Sequence, residues 1–142
     1  MWAATNALNV WIGQGVPQDW SSHSMGYALT AQFGLDHAQT LAILLPGVMT
    51  YMRKEKAAKL IRMGEVVFGI TEGSADEKAQ KSIEATEDFF HFMGLKTRLS
   101  DYGIKESDLD ALVEPIDRMG WKLGEYGNIN SKVAKEILLL RL

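Results

Sequence analysis

The chain has no cysteine. That excludes disulfides and thiolate metal ligands, and it fits a reducing compartment. Positive charge is not in excess: 15 Lys and Arg stand against 18 Asp and Glu, a net charge of −3. No basic block stands apart from acidic neighbours, so binding to nucleic acid or to an anionic membrane surface has no electrostatic support. No apolar run approaches the ~20 residues of a membrane span. The first residues, MWAATNALNVWIG, lack the basic n-region of a signal peptide, which makes the cytoplasm the expected location. Strand signals are nearly absent: there is no Asn-Gly or Asp-Gly hairpin turn and no sustained period-2 alternation. Nor is there a repeat, a low-complexity segment or a linker.

What remains is a length of 142 residues and a hydrophobic fraction of 46%, enough for one domain with a core of its own. The apolar spacing predicts an all-α domain of about seven helices. Leu8, Trp11 and Ile12 recur at helical spacing from Trp2 to Ile12, and Gly13, Gly15 and Pro17 end that helix. Asp19 is placed to cap a second helix carrying Trp20, His23, Tyr27 and Leu29, closed by Gly34. Asp36 caps a third helix that opens on His37 and continues through Ala38, Leu41, Leu44 and Leu45. Pro46 predicts a kink there, or a restart over Gly47 to Tyr51. A helix from Lys54 to Ile70 turns Ala57, Leu60, Ile61, Val67 and Phe68 inward. Ser74 and Glu77 form a capping box for the next, Ala75 to Met93, with Ile83, Phe90 and Met93 inside. Leu95 to Gly103 reads as irregular. Ser107 starts a helix through Leu109, Leu112 and Ile116, bent by Pro115, and Asn130 caps the last, Ser131 to about Leu140. Met1-Trp2-Ala3-Ala4 already lies inside a helical pattern, as if the chain began in the middle of something larger.

Histidine is also scarce, with three in all, and two fall in the stretch from Gly15 to Pro46. His23 and Tyr27 are one helical turn apart and share a face. His37 opens the following helix, where the N–H groups and the dipole favour the neutral imidazole that binds metal. Most histidines in helical proteins are solvated or hydrogen-bonded, so the pair alone is a weak signal. It also carries a geometric condition. A second helix running to Phe33 puts His23 about 15 Å from its end, while the four steps to His37 span at most ~14 Å. Two ligands of one ion therefore require the helix to stop near Leu29 to Gln32, or the connection to double straight back.

These residues resemble the metal-binding signature of the iron-containing (group III) alcohol dehydrogenases. In that signature a His is followed four residues on by a second polar residue and ten later by another His. An apolar helix then ends in Leu-Leu-Pro, here His23, Tyr27, His37 and Ile43-Leu44-Leu45-Pro46. MWAATNALN, GVPQDW, DHAQTLAILLP, FGITEGS, LSDYGI and LGEYGNI extend the likeness, in the butanol-dehydrogenase-like branch, over essentially the whole chain. The resemblance implies a two-domain enzyme with an α/β domain that binds NAD or NADP. Its all-helical C-terminal domain gives an Asp and three His to one divalent iron or zinc. His23 and His37 correspond to the last two of those ligands. Nothing corresponds to the Gly-rich nucleotide-binding turn or to the early Asp and His, so residues 1–142 resemble the C-terminal domain with its beginning missing. Many members carry a second histidine where Tyr27 stands. A tyrosine there could relay a proton or orient substrate, and could equally be a half-buried aromatic.

The implied substrate is a small alcohol or aldehyde, and an apolar face left by a missing neighbour invites homo-oligomers. His91 reads as structural at a helix C-terminus. Asp36 and Asp19 read as caps, the four Trp as core or pocket wall, Lys54 to Lys59 as a solvated face, and the Met residues as core filling. Two other classes stay open. One is a helical interaction module with incidental histidines. The other is a small metalloprotein completed by Asp19, Asp36 or a partner subunit.

Overall fold

A computed structural model describes residues 1–142. It contains seven α-helices: α1 (Trp2–Leu8), α2 (Ser21–Phe33), α3 (His37–Tyr51), α4 (Ala57–Phe68), α5 (Ala75–Phe92), α6 (Leu109–Arg118) and α7 (Ser131–Leu139). Single 3-10 turns occupy Ser100–Tyr102 and Glu106–Asp108. The only β pairing is one isolated antiparallel bridge, Leu123 to Ile129. The all-α expectation holds.

Apolar residues at helical spacing place the core between α2, α3, α6 and α7. Met25 and Leu29 of α2, Ile43, Leu44 and Val48 of α3, Leu109, Leu112 and Ile116 of α6, and Ala134, Ile137 and Leu138 of α7 form one buried cluster. Gln32 adds a tie, donating from Nε2 to the Ala111 carbonyl of α6 at 2.9 Å. Helices α4 and α5 form a hairpin with a smaller core, in which Leu60, Ala79 and Ile83 meet Met49 of α3. Ser74 and Glu77 cap α5 reciprocally and Asn130 accepts the Val133 N–H at 3.0 Å, as the sequence predicts.

Several expectations shift. Helix α1 stops at Leu8, because no residue of it is buried and the Asn9 side chain accepts the Trp11 N–H at 3.2 Å instead of letting the helix continue. Helix α3 runs unbroken through Pro46, whose carbonyl accepts the Thr50 hydroxyl at 2.8 Å. The buried face of α3 on both sides of the proline holds the helix together against the lost N–H bond. On α4 the inward face is Leu60 and Gly64, and Val67 is exposed. On α5 it is Ala79, Ser82, Ile83 and Thr86, and Met93 lies outside. None of the four Trp is buried: Trp2 and Trp11 are largely solvated, while Trp20 and Trp121 are partly exposed walls of clefts. Lys56 leaves the solvated face assigned to it. His91 is structural, with Nε2 at 2.9 Å from Thr97 Oγ1.

Arg141 is the one basic residue sunk in the fold. Its guanidinium donates to the Glu87 carboxylate and, at 2.8 Å, to the Thr97 carbonyl. That ties the chain's last residues to α5. Burial alone would raise the Glu87 pKa. The hydrogen bonds from Arg141 and Thr97 and the charges of Arg141 and Arg98 more than offset it, and the carboxyl sits below its usual range.

Candidate metal centre

The two histidines meet. The rings of His23 and His37 lie with centroids 4.9 Å apart and planes at 53°. Helix α2 does not end early to allow this; it runs the full length to Phe33. The connection doubles back instead. Gly34 turns the chain at φ 68°, ψ 21°, in the left-handed region that a residue without Cβ enters freely. Leu35 is then drawn into the core and Asp36 is extended at φ −64°, ψ 151°. Three residues along each helix the same pairing repeats. A Cβ on Gly26 would stand 2.9 Å from Thr40 Oγ1, so the bare backbone of α2 is what admits α3. Thr40 in turn donates its hydroxyl to the His37 carbonyl at 2.9 Å.

Each ring is carried by the first turn of a helix, and the two turns are fixed differently. Asp36 is the N-cap of α3 and forms a capping box with Gln39, whose carboxamide oxygen accepts the Asp36 N–H at 2.8 Å. At α2 the N-cap position falls on Trp20, which makes no side-chain cap bond. Asp19, expected in that position, stands one residue earlier. It still serves the first turn, its Oδ1 accepting the Ser21 N–H at 2.9 Å and the Ser21 hydroxyl. Its Oδ2 meets Lys56 Nζ at 2.8 Å. Together these partners outweigh burial and hold the Asp19 carboxyl below its usual pKa.

His23 is half-buried and His37 exposed. Burial pushes the His23 pKa down, and the neighbouring His37 pushes it further in the same direction. The neutral imidazole, with a free nitrogen lone pair, is therefore the favoured form at neutral pH. Trp20 packs edge-on to His23 at 5.0 Å between centroids. Beyond it opens a cleft of about 530 Å³ lined by Ala4, Ala7 and Leu8 of α1, by Gln18, Asp19, Trp20 and His23, and by Leu41. The part of α1 in that wall was not legible in the sequence, because α1 has no buried face to mark which side matters.

Tyr27 follows His23 by one turn of α2 but is not in the ring contact. It is 65% exposed and borders a second, smaller cleft of about 190 Å³ with Ser24, Ala28, Ala31, Leu112, Pro115, Ile116 and Trp121. No three His, Asp or Glu side chains converge as a metal-holding group. The donor set is thus two convergent imidazoles at a partly exposed surface. It fits a borderline divalent ion such as zinc or ferrous iron as a partial ligand set.

Relatives carry the same arrangement of helices. Residues 3–138 match the profile described as Fe-containing alcohol dehydrogenase family, C-terminal. The chain is 50% identical over 138 residues to the NADPH-dependent aldehyde reductase YqhD of Escherichia coli strain K12, a match that covers 96% of this chain and 36% of that protein. It is 41% identical over 137 residues to NADP-dependent alcohol dehydrogenase 3 of Entamoeba histolytica, covering 96% and 34%. The solved structure of substrate- and cofactor-free YqhD aligns with a TM-score of 0.95 at 48% identity, covering 100% of this chain and 38% of that one. NADH-dependent butanol dehydrogenase A of Thermotoga maritima aligns at 0.88 with 30% identity, covering 99% and 37%. The chain spans little more than a third of the length of the relatives it matches. On these matches, the chain belongs to the iron-containing alcohol dehydrogenase family and represents that family's C-terminal helical domain.

Proposed function

We propose that residues 1–142 are the metal-binding C-terminal domain of an NAD(P)-linked alcohol dehydrogenase or aldehyde reductase. His23 and His37 are two of the ligands of one divalent ion, iron or zinc. The remaining ligands and the nucleotide-binding domain come from sequence outside this chain. The observation that carries this reading is the 4.9 Å approach of two imidazoles 14 residues apart in sequence (37 − 23 = 14).

A bound divalent ion supplies Lewis acidity toward the oxygen of a small alcohol or aldehyde, and the nicotinamide supplies or accepts the hydride. The chain's own residues prepare the place. His23 is kept neutral by burial, so its lone pair is available. Trp20 and His37 both pack against that ring. Trp20, Leu8 and Leu41 give the cleft beside it an apolar wall, which suits an alkyl substituent. Tyr27, one turn away on α2, borders the smaller neighbouring cleft, so its proposed part of orienting substrate or passing a proton from its hydroxyl requires substrate to reach that cleft.

Half a ligand set and no nucleotide domain imply that the chain alone does not turn over and holds divalent metal weakly. The exposed apolar residues of the first segment, Trp2, Leu8, Trp11 and Ile12, suit contact with the rest of the polypeptide or with another copy. The test is metal analysis of the full-length parent protein with and without His23→Ala and His37→Ala. Each substitution is expected to empty the site. Unchanged metal content in both would overturn the ligand assignment and favour a helical interaction module. Activity of the 142-residue chain with NADPH and butanal would contradict its proposed incompleteness.

A further inference from the structure

Lys56 sits at the N-cap of α4, far in sequence from either histidine. A surface lysine in a basic stretch is ordinarily solvated, yet only 17% of this side chain is exposed. Its Nζ lies 2.8 Å from Asp19 Oδ2 and 2.6 Å from Glu125 Oε1, and over the Tyr126 ring at 5.9 Å. Three separate segments converge on one ammonium: the residues before α2, the start of α4, and the loop between α6 and α7. Burial disfavours the charged form of Lys56, but the two carboxylates more than restore it.

The convergence matters because of what Asp19 does with its other oxygen. Oδ1 accepts the Ser21 N–H and hydroxyl in the first turn of α2. That turn has no N-cap side chain of its own and no acidic residue to meet its free N–H groups. Trp20 at the N-cap and His23 within the turn are in edge-on contact. We propose that Lys56 is a positioning residue for the metal-binding pair: by bridging Asp19 and Glu125 it holds the first turn of α2 so that the His23 ring faces His37. This role takes the ligand reading of the two rings as its premise, but ring placement can be measured with no metal present. Outer partners that orient ligands are worth about 10–100-fold in metal affinity.

The test uses the metal-free full-length parent protein with Lys56→Met, which keeps the apolar stem and removes the charge, and with Lys56→Arg. NMR cross-peaks between the His23 and His37 rings and between His23 and Trp20 report ring placement. Added Ni²⁺, followed by loss of the two histidine ring signals, reports use of the pair. In Lys56→Met the ring-to-ring cross-peaks are expected to vanish and about tenfold more Ni²⁺ to be needed. Lys56→Arg is expected to restore both. A purely structural contribution would lower Tm and leave the cross-peaks of the folded protein in place, and that result overturns the assignment. If Lys56→Met does not fold, Asp19→Asn decides. It keeps an acceptor for Ser21 but removes the charge that Lys56 grips. Intact cross-peaks there also overturn the assignment, and lost ones support it. Cross-peaks that respond without any Ni²⁺ effect in the unmodified protein would leave the positioning intact and remove the metal reading.

Discussion

Helix α3 closes its own N-terminus, whereas α2 borrows its anchor from a distant part of the chain. His37 follows an N-cap and a capping box contained in four consecutive residues, Asp36 to Gln39. His23 follows a turn whose acceptor, Asp19, is itself held by Lys56 and, through it, linked to Glu125. The two histidines proposed as ligands thus rest on supports of different range. A local cap forms with the helix and needs no tertiary structure. An ionic clasp across three segments exists only once the domain has closed, so His23 is correctly placed only in the folded domain.

The most disruptive way to test that contrast is to separate the helices themselves. Gly26→Val puts a branched side chain where a Cβ already meets Thr40 Oγ1 at 2.9 Å. We expect a loss of about 1–3 kcal/mol in urea unfolding, from overpacking, together with loss of the His23–His37 ring contact. A variant of unchanged stability with the contact intact would mean that the helices are less tightly engaged than described. Next comes Gln39→Ala, which removes the acceptor for the Asp36 N–H. The cost should be about 0.5–1.5 kcal/mol and confined to the start of α3, with faster amide exchange there and no change at Ser21. An equal response at both helix starts would erase the distinction between local and borrowed support.

The smallest effect is the acid response of Asp19. Its folded pKa lies below the ordinary aspartate value. Its contribution is therefore complete above that value and is lost as pH falls through the lower folded value. Stability of the unmodified chain should fall more steeply below about pH 4 than that of Asp19→Asn. Parallel curves would show that the clasp adds nothing to folding.

This difference in range also explains what could be read from the sequence. The Asp36 cap, the Ser74–Glu77 box, the Asn130 cap and the turn at Gly34 depend on neighbours a few residues away, and each is legible. The histidine pair was legible as a pair, along with the condition that the chain double back if α2 ran to Phe33. Lys56 was not, because nothing around it signals Asp19 or Glu125. Trp2 and Trp11 depart from the core-or-wall reading for a related reason, whereas Trp20 and Trp121 do line clefts. Hydrophobicity says that a side chain prefers cover, but not whether these 142 residues supply it, and for Trp2 and Trp11 they do not. Pro46 was read by its local cost alone, while burial on both sides of it keeps α3 whole.

The repeated pairing of residue 23 with 37 and of 26 with 40 makes the segment between them a gauge of fixed length. The connector doubles back through Gly34 and seats Leu35 in the core, so removing a residue from Gly34 to Asp36 shifts α3 out of register with α2. Adding one inside α2 after His23 turns everything beyond by about 100° relative to that ring. Change of amino-acid type along this segment can be absorbed position by position. Change of length cannot, and insertions or deletions in related chains should be found almost anywhere except between these two histidines.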